Sequence, residues 1–194
     1  MKKIIIVMLL ISVAIMGASA QKLSGTLIPL KDQKEVNIVI DFSGTLVDGK
    51  TEQKYINEEL KKRKTADKEK WLNEWHDNLR FTAYSMLIRE LNKTLNPNLF
   101  IVDDIPNAEY TIYVKVKEIK TGFFSKEVAK PSELKVEVRF VKTDEVGPFA
   151  TIEFPKVSNK SSFDTPYFIT RIGQSFGTLG GSIGMIINKN LKKK

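Results

Sequence analysis

Between residues 110 and 154 the sequence alternates apolar and polar side chains three times over. Tyr110, Ile112, Val114 and Val116 alternate with Thr111, Tyr113, Lys115 and Lys117. Leu134, Val136, Val138 and Phe140 repeat the design, and Ala150, Ile152 and Phe154 repeat it again. A period of two marks a strand with one buried face and one polar face. Three such strands, the later pair joined by a short loop, predict an antiparallel meander. A meander with a solvated face leaves no room for a doubly wound parallel core, whose strands are covered on both sides.

The remaining elements are arranged around that meander. Val36, Ile38, Ile40 and Phe42 alternate with Asn37, Val39 and Asp41, which predicts another strand. Residues 51–64 are polar and highly charged, a surface helix or loop. Residues 66–95 read as a long helix with Leu72, Trp75, Leu79, Ala83, Met86 and Leu87 along one stripe, stopped by Asn96-Pro97-Asn98. A short strand follows at 99–102, then a turn at Ile105-Pro106-Asn107. The closing helix, 165–191, carries an apolar stripe of Ile169, Ile172, Phe176, Leu179, Ile183 and Ile186. The predicted fold class is α/β: an α+β sandwich. It has a mixed sheet of about five strands, mostly antiparallel, and long helices packed on one face.

The first twenty residues stand apart. Lys2 and Lys3, the apolar run 4–16 and Ala18-Ser19-Ala20 have the layout of a secretory signal peptide. That predicts a periplasmic or secreted protein. The chain then divides into a lead-in segment, 21–33, and a single domain, 34–194, ending in a Gly-rich helix and a basic tail. There is no cysteine, so disulfides and thiolate metal sites are excluded and stability rests on the core. The formal net charge of +8 falls by two with the loss of Lys2 and Lys3. Such an excess favours anionic partners, and export removes nucleic acid from among them.

Residues 36–51, VNIVIDFSGTLVDGKT, satisfy two motifs at once. Gly44 to Thr51 fits the phosphate-loop pattern. Yet Leu46 and Val47 suit a tight phosphate cradle poorly, and Asp48 brings negative charge towards the phosphate. Asp41 to Asp48 resembles the first motif of haloacid-dehalogenase-type phosphotransferases, with Asp41 as nucleophile. Ser43 stands where that family has a second Asp, and a serine is no general acid near neutral pH. A plainer reading uses more residues: Asp48-Gly49 as a tight turn, Gly44 as a bend and Thr51 as a helix cap. The expected catalytic, metal and cofactor sites are therefore none. His76, the one histidine, reads as a helix-surface residue.

Two features point to binding. The loop 121–133 carries Phe123 and Phe124, candidate partner-binding residues because exposed aromatics anchor interfaces; a loop folded back over the core is the competing reading. Gly173, Gly177, Gly181 and Gly184, with Gly180, line one face of the closing helix. Each glycine costs a helix roughly 1 kcal/mol relative to alanine, so close packing must compensate. The domain's own sheet, a homodimer or a membrane interface would each supply it. Lys189 and the triad 192–194 form the basic tail, either solvated or set against an anionic membrane or polysaccharide surface.

VNIVIDFSG, EKWLNEWHDNLR, NAEYTIYVKV and FITRIGQSFGTLGGSIGMII, in this order, resemble a group of uncharacterised small exported proteins of Bacteroidota. The architecture is also similar to the amino-terminal domain of TolB and to the periplasmic domain of the curli-secretion lipoprotein. The chain departs from both in having no lipidated cysteine, no propeller and no membrane-hairpin segments. The resemblance implies a fold and a role in binding envelope proteins, and it assigns no binding residue. The expected function is an exported, non-enzymatic envelope adaptor or scaffold with a protein partner. The alternatives are a divergent metal-dependent phosphohydrolase using Asp41, and an anionic-surface binder acting through the basic tail.

Overall fold

The alternation of residues 110–154 produces the expected meander. In the computed structural model, β6 (Tyr110–Lys120), β9 (Glu133–Lys142) and β10 (Pro148–Ser158) are consecutive antiparallel neighbours. The structure describes residues 21–125, 127–159 and 167–191. The expected signal peptide, the first residues of the closing helix and the basic triad 192–194 lie outside the described residues.

β1 (Lys22–Gly25), from the lead-in segment, adds an edge strand to β10. On the other side of the meander, β2 (Glu35–Asp41) pairs parallel with β6, and β5 (Ile101–Asp103) pairs parallel with β2. The main path is β1-β10-β9-β6-β2-β5, six strands where about five were expected. The hairpin of β3 (Leu46–Val47) and β4 (Lys50–Thr51) joins at β6. Because β5 and β6 flank β2 and run the same way, the connection 104–109 must cross β2. Asn37, buried at 6 % exposure, pins that crossing. Its Oδ1 accepts from the Ile105 amide at 3.0 Å, and its Nδ2 donates to Thr111 Oγ1 at 3.2 Å.

Helices cover one face of the sheet. α1 (Glu52–Lys61) is followed by α2 (Thr65–Asn73), a π turn (Glu74–Asn78) and α3 (Leu79–Thr94). The buried stripe here is Trp71, Trp75, Leu79, Ala83, Leu87 and Leu91, a strict step of four. A step of four overshoots an α-helical turn of 3.6 residues. The wider π turn absorbs part of that drift and keeps both tryptophans in line with the leucines.

α4 (Phe168–Leu191) lies parallel to α3 in the same layer. A Cβ on Gly180 would sit 2.2 Å from the Leu87 carbonyl oxygen, and one on Gly184 would sit 2.9 Å from Thr94 Cβ. Close approach of α3 therefore compensates the glycines, and the face considered for a dimer is filled by a helix of the same chain. Asn188 closes the seam by donating to the Thr94 carbonyl at 2.7 Å and accepting from the Asn96 amide at 2.9 Å. It thereby satisfies groups that a helix end leaves unpaired. The other side of α4 presents Ile172, Phe176, Leu179 and Ile183 to the core.

Candidate functional site at the hairpin end

Asp41 ends β2 on the open face of the sheet, where its carboxylate is fully engaged. Lys115 Nζ and Tyr113 Oη both donate to Oδ2 at 2.7 Å, and the Ser43 amide donates to Oδ1 at 2.7 Å. Burial alone would raise its pKa, but the bonds from Lys115, Ser43 and Tyr113 outweigh it and hold the carboxyl well below the usual range. Lys115 also reaches the Ser43 carbonyl and hydroxyl.

Asp103, which ends β5, and Asp104 after it lie away from Asp41. Asp103 is in register with Asn37, not Asp41, and four residues of strand separate them by about 13 Å. Asp103 is bonded to Tyr84. No cluster of three His, Cys, Asp or Glu able to hold a metal occurs among the described residues.

The phosphate-loop match folds as a turn and a hairpin. Gly44 has φ +67°, and Asp48-Gly49, at +48° and +74°, joins β3 to β4, the positive-φ pair that a two-residue hairpin turn requires. Asp48 then accepts from the amide and hydroxyl of Thr121, at 3.1 and 2.7 Å. Thr51 caps α1 through a long bond from the Lys54 amide, 3.4 Å. His76 is exposed on the π turn.

Phe123 and Phe124 form β7 (Phe123–Phe124), paired with β8 (Ala129–Lys130) in a short ribbon separate from the main sheet. Successive strand residues point to opposite faces, yet Phe123 is 48 % and Phe124 39 % exposed. Each face of the ribbon therefore leaves an aromatic side chain partly open to solvent. Val128, 57 % exposed, adds to its apolar surface.

The ribbon's base is fixed. Gly122, at φ +64°, lies so close to the 130–131 backbone that a Cβ would come within 2.3 Å of the Lys130 oxygen. Ser132 Oγ bonds to the Arg171 carbonyl at 2.7 Å. At the tip, Ser125 closes a turn with Val128.

Beside this base lies a pocket of about 240 Å³, lined among others by Tyr55, Arg63, Trp71, Thr121, Phe168 and Arg171. Trp71 and Trp75 stack at 5.6 Å, Tyr55 and Phe168 pack against them, and Arg63 sits 4.4 Å over the Trp71 ring. Burial, then the charge of Glu59, pushes the Tyr55 hydroxyl up to about 12. The pocket's acids serve the protein itself: Asp48 holds Thr121, and Glu59 accepts from Lys62 and Arg63.

The structure thus joins the predicted Phe123 and Phe124 to residues that sequence reading passed over: Tyr55, Arg63, Arg171 and the basic run at 61–64. That run, KKRK, was visible as charge. Its position beside the aromatic ribbon was not, because 57 residues of chain lie between Arg63 and Thr121.

No family model matches the sequence, and no curated protein matches it. Among solved structures, the chain is similar to the PelC dodecamer from Paraburkholderia phytofirmans. Identity is 10 %, coverage is 84 % of this chain and 96 % of that one, and the TM-score is 0.41. A dodecamer of a PelC point variant matches with the same identity and TM-score, covering 87 % and 98 %. A likeness this distant carries no functional argument.

Proposed function

We propose that the protein is a non-enzymatic docking adaptor that acts at the cell envelope after export, and that it makes contact through the end bearing Phe123 and Phe124. The observation that supports this is the ribbon, two aromatic side chains partly exposed on opposite faces of a strand whose base is locked to the body. Exposed apolar surface on a rigid support marks an interaction site. A phosphohydrolase reading draws no support from Asp41, whose oxygens are occupied by Lys115, Tyr113 and Ser43.

The test is site-specific photo-cross-linking in cells, with a benzophenone side chain at position 124 and, as control, at the exposed Phe81 on α3. Adducts from 124 and none from 81 are expected. The reverse pattern contradicts the proposal. So does magnesium-dependent phosphomonoester hydrolysis that Asp41→Asn abolishes.

A further inference from the structure

The cations around the ribbon identify the chemistry of its partner. Arg63 and Trp71 share the lining of one pocket with Thr121 and Gly122. The turn from α1 to α2 and the ribbon base are therefore neighbours at one end of the molecule. The sequence of that turn is Lys61-Lys62-Arg63-Lys64, with Lys68 and Lys70 following in α2.

Lys61, Lys64 and Lys70 are exposed, and none of the three forms an ion pair among the described residues. Lys130, exposed on β8, likewise has no such pair, whereas Lys120 reaches Glu133 at 3.7 Å. Acids are present too. Glu59 is tied to Lys62 and Arg63, and Asp67, Glu69 and Glu127 are exposed. Cations still predominate in the turn itself, where four consecutive residues carry positive charge and none carries negative.

We infer that this end docks on an anionic lipid bilayer, with Phe123, Phe124 and Val128 entering the headgroup region and Lys61, Lys64 and Lys130 facing the lipid phosphates. The inference rests on the ribbon end being the contact surface. A protein partner needs a shaped, desolvated patch, whereas this ribbon offers apolar side chains on both faces. A wedge immersed in headgroups and acyl chains uses both faces at once. Unpaired lysines beside it complement a negative surface potential. The basic tail proposed from sequence is not needed for this contact.

The experiment is vesicle co-sedimentation with the chain from Gln21 onward, where the described fold begins. It compares vesicles containing phosphatidylglycerol with vesicles of phosphatidylcholine alone. Binding to the anionic vesicles only, weakened by salt, is expected. Lys61→Ser/Lys64→Ser should weaken it about thirtyfold, and Phe123→Ser/Phe124→Ser roughly tenfold or more, with unchanged circular dichroism. Deleting residues 192–194 should leave it intact.

Equal binding to neutral vesicles overturns the inference. So does binding insensitive to both double variants, or binding lost only with residues 192–194. No vesicle binding, together with a protein adduct from position 124, rejects the lipid partner and leaves the docking function standing. Failure of both experiments rejects both.

Discussion

Gly180 and Gly181 are neighbours with opposite constraints. A methyl group on Gly180 would collide with the α3 backbone at Leu87, whereas one on Gly181 would meet only Thr94 Oγ1, at 3.6 Å. Gly180→Ala should therefore force the helices apart and cost about 1–3 kcal/mol. Gly181→Ala should be neutral or stabilising by up to ~1 kcal/mol, because alanine is the better helix former. Urea unfolding of the two variants separates them by the sign of the change. The sequence displays a stripe of glycines but not which one touches backbone, since that depends on the register of a helix some ninety residues earlier. Asp41 is a similar case: its motif was legible, but its bond to Lys115 spans 74 residues and left no local trace.

At the scale of elements, β5 is an edge strand whose outer rim is occupied. Asn92 on α3 donates to the Val102 carbonyl at 2.7 Å and accepts from its amide at 2.9 Å. One side chain thus stands in for a further strand, and such cover guards an edge against pairing with another chain. Asn92→Leu should leave two backbone groups unmet and destabilise the protein by about 1–3 kcal/mol. Hydrogen exchange at the Val102 amide should speed up more than at Ile112 in the sheet centre. The meander was legible because alternation reports burial directly. The parallel pairing of β2 with β5 and β6 was not, because alternation is identical for either strand direction. The crossing over β2 depends on Asn37, which reads locally as one more polar residue.

Across the whole molecule, the uncovered sheet face is a lattice of opposed charges. Lys117 bridges Glu137 at 2.5 Å and Glu153 at 3.1 Å, and Arg139 pairs with Glu137. The bond from Lys117, against the cost of burial and helped by Arg139, brings Glu137 down to about 2 from an ordinary 4.5. A lowered folded pKa stabilises above the unfolded value and loses that contribution as pH falls through the folded one. Stability should therefore decline from about pH 4.5 towards pH 2, with Asp41, also held low, extending the loss to still more acid conditions. Glu137→Gln should cost about 1 kcal/mol at neutral pH, given its partly exposed partners, and flatten that decline. Thermal melts across the acid range would show both effects. The seam between α3 and α4 carries a further consequence, for biogenesis. α3 is synthesised before most of the sheet, but its close-fitting partner follows every strand in chain order. A nascent polypeptide must therefore keep this apolar surface unsealed until α4 emerges, which delays cooperative folding until that helix has been made.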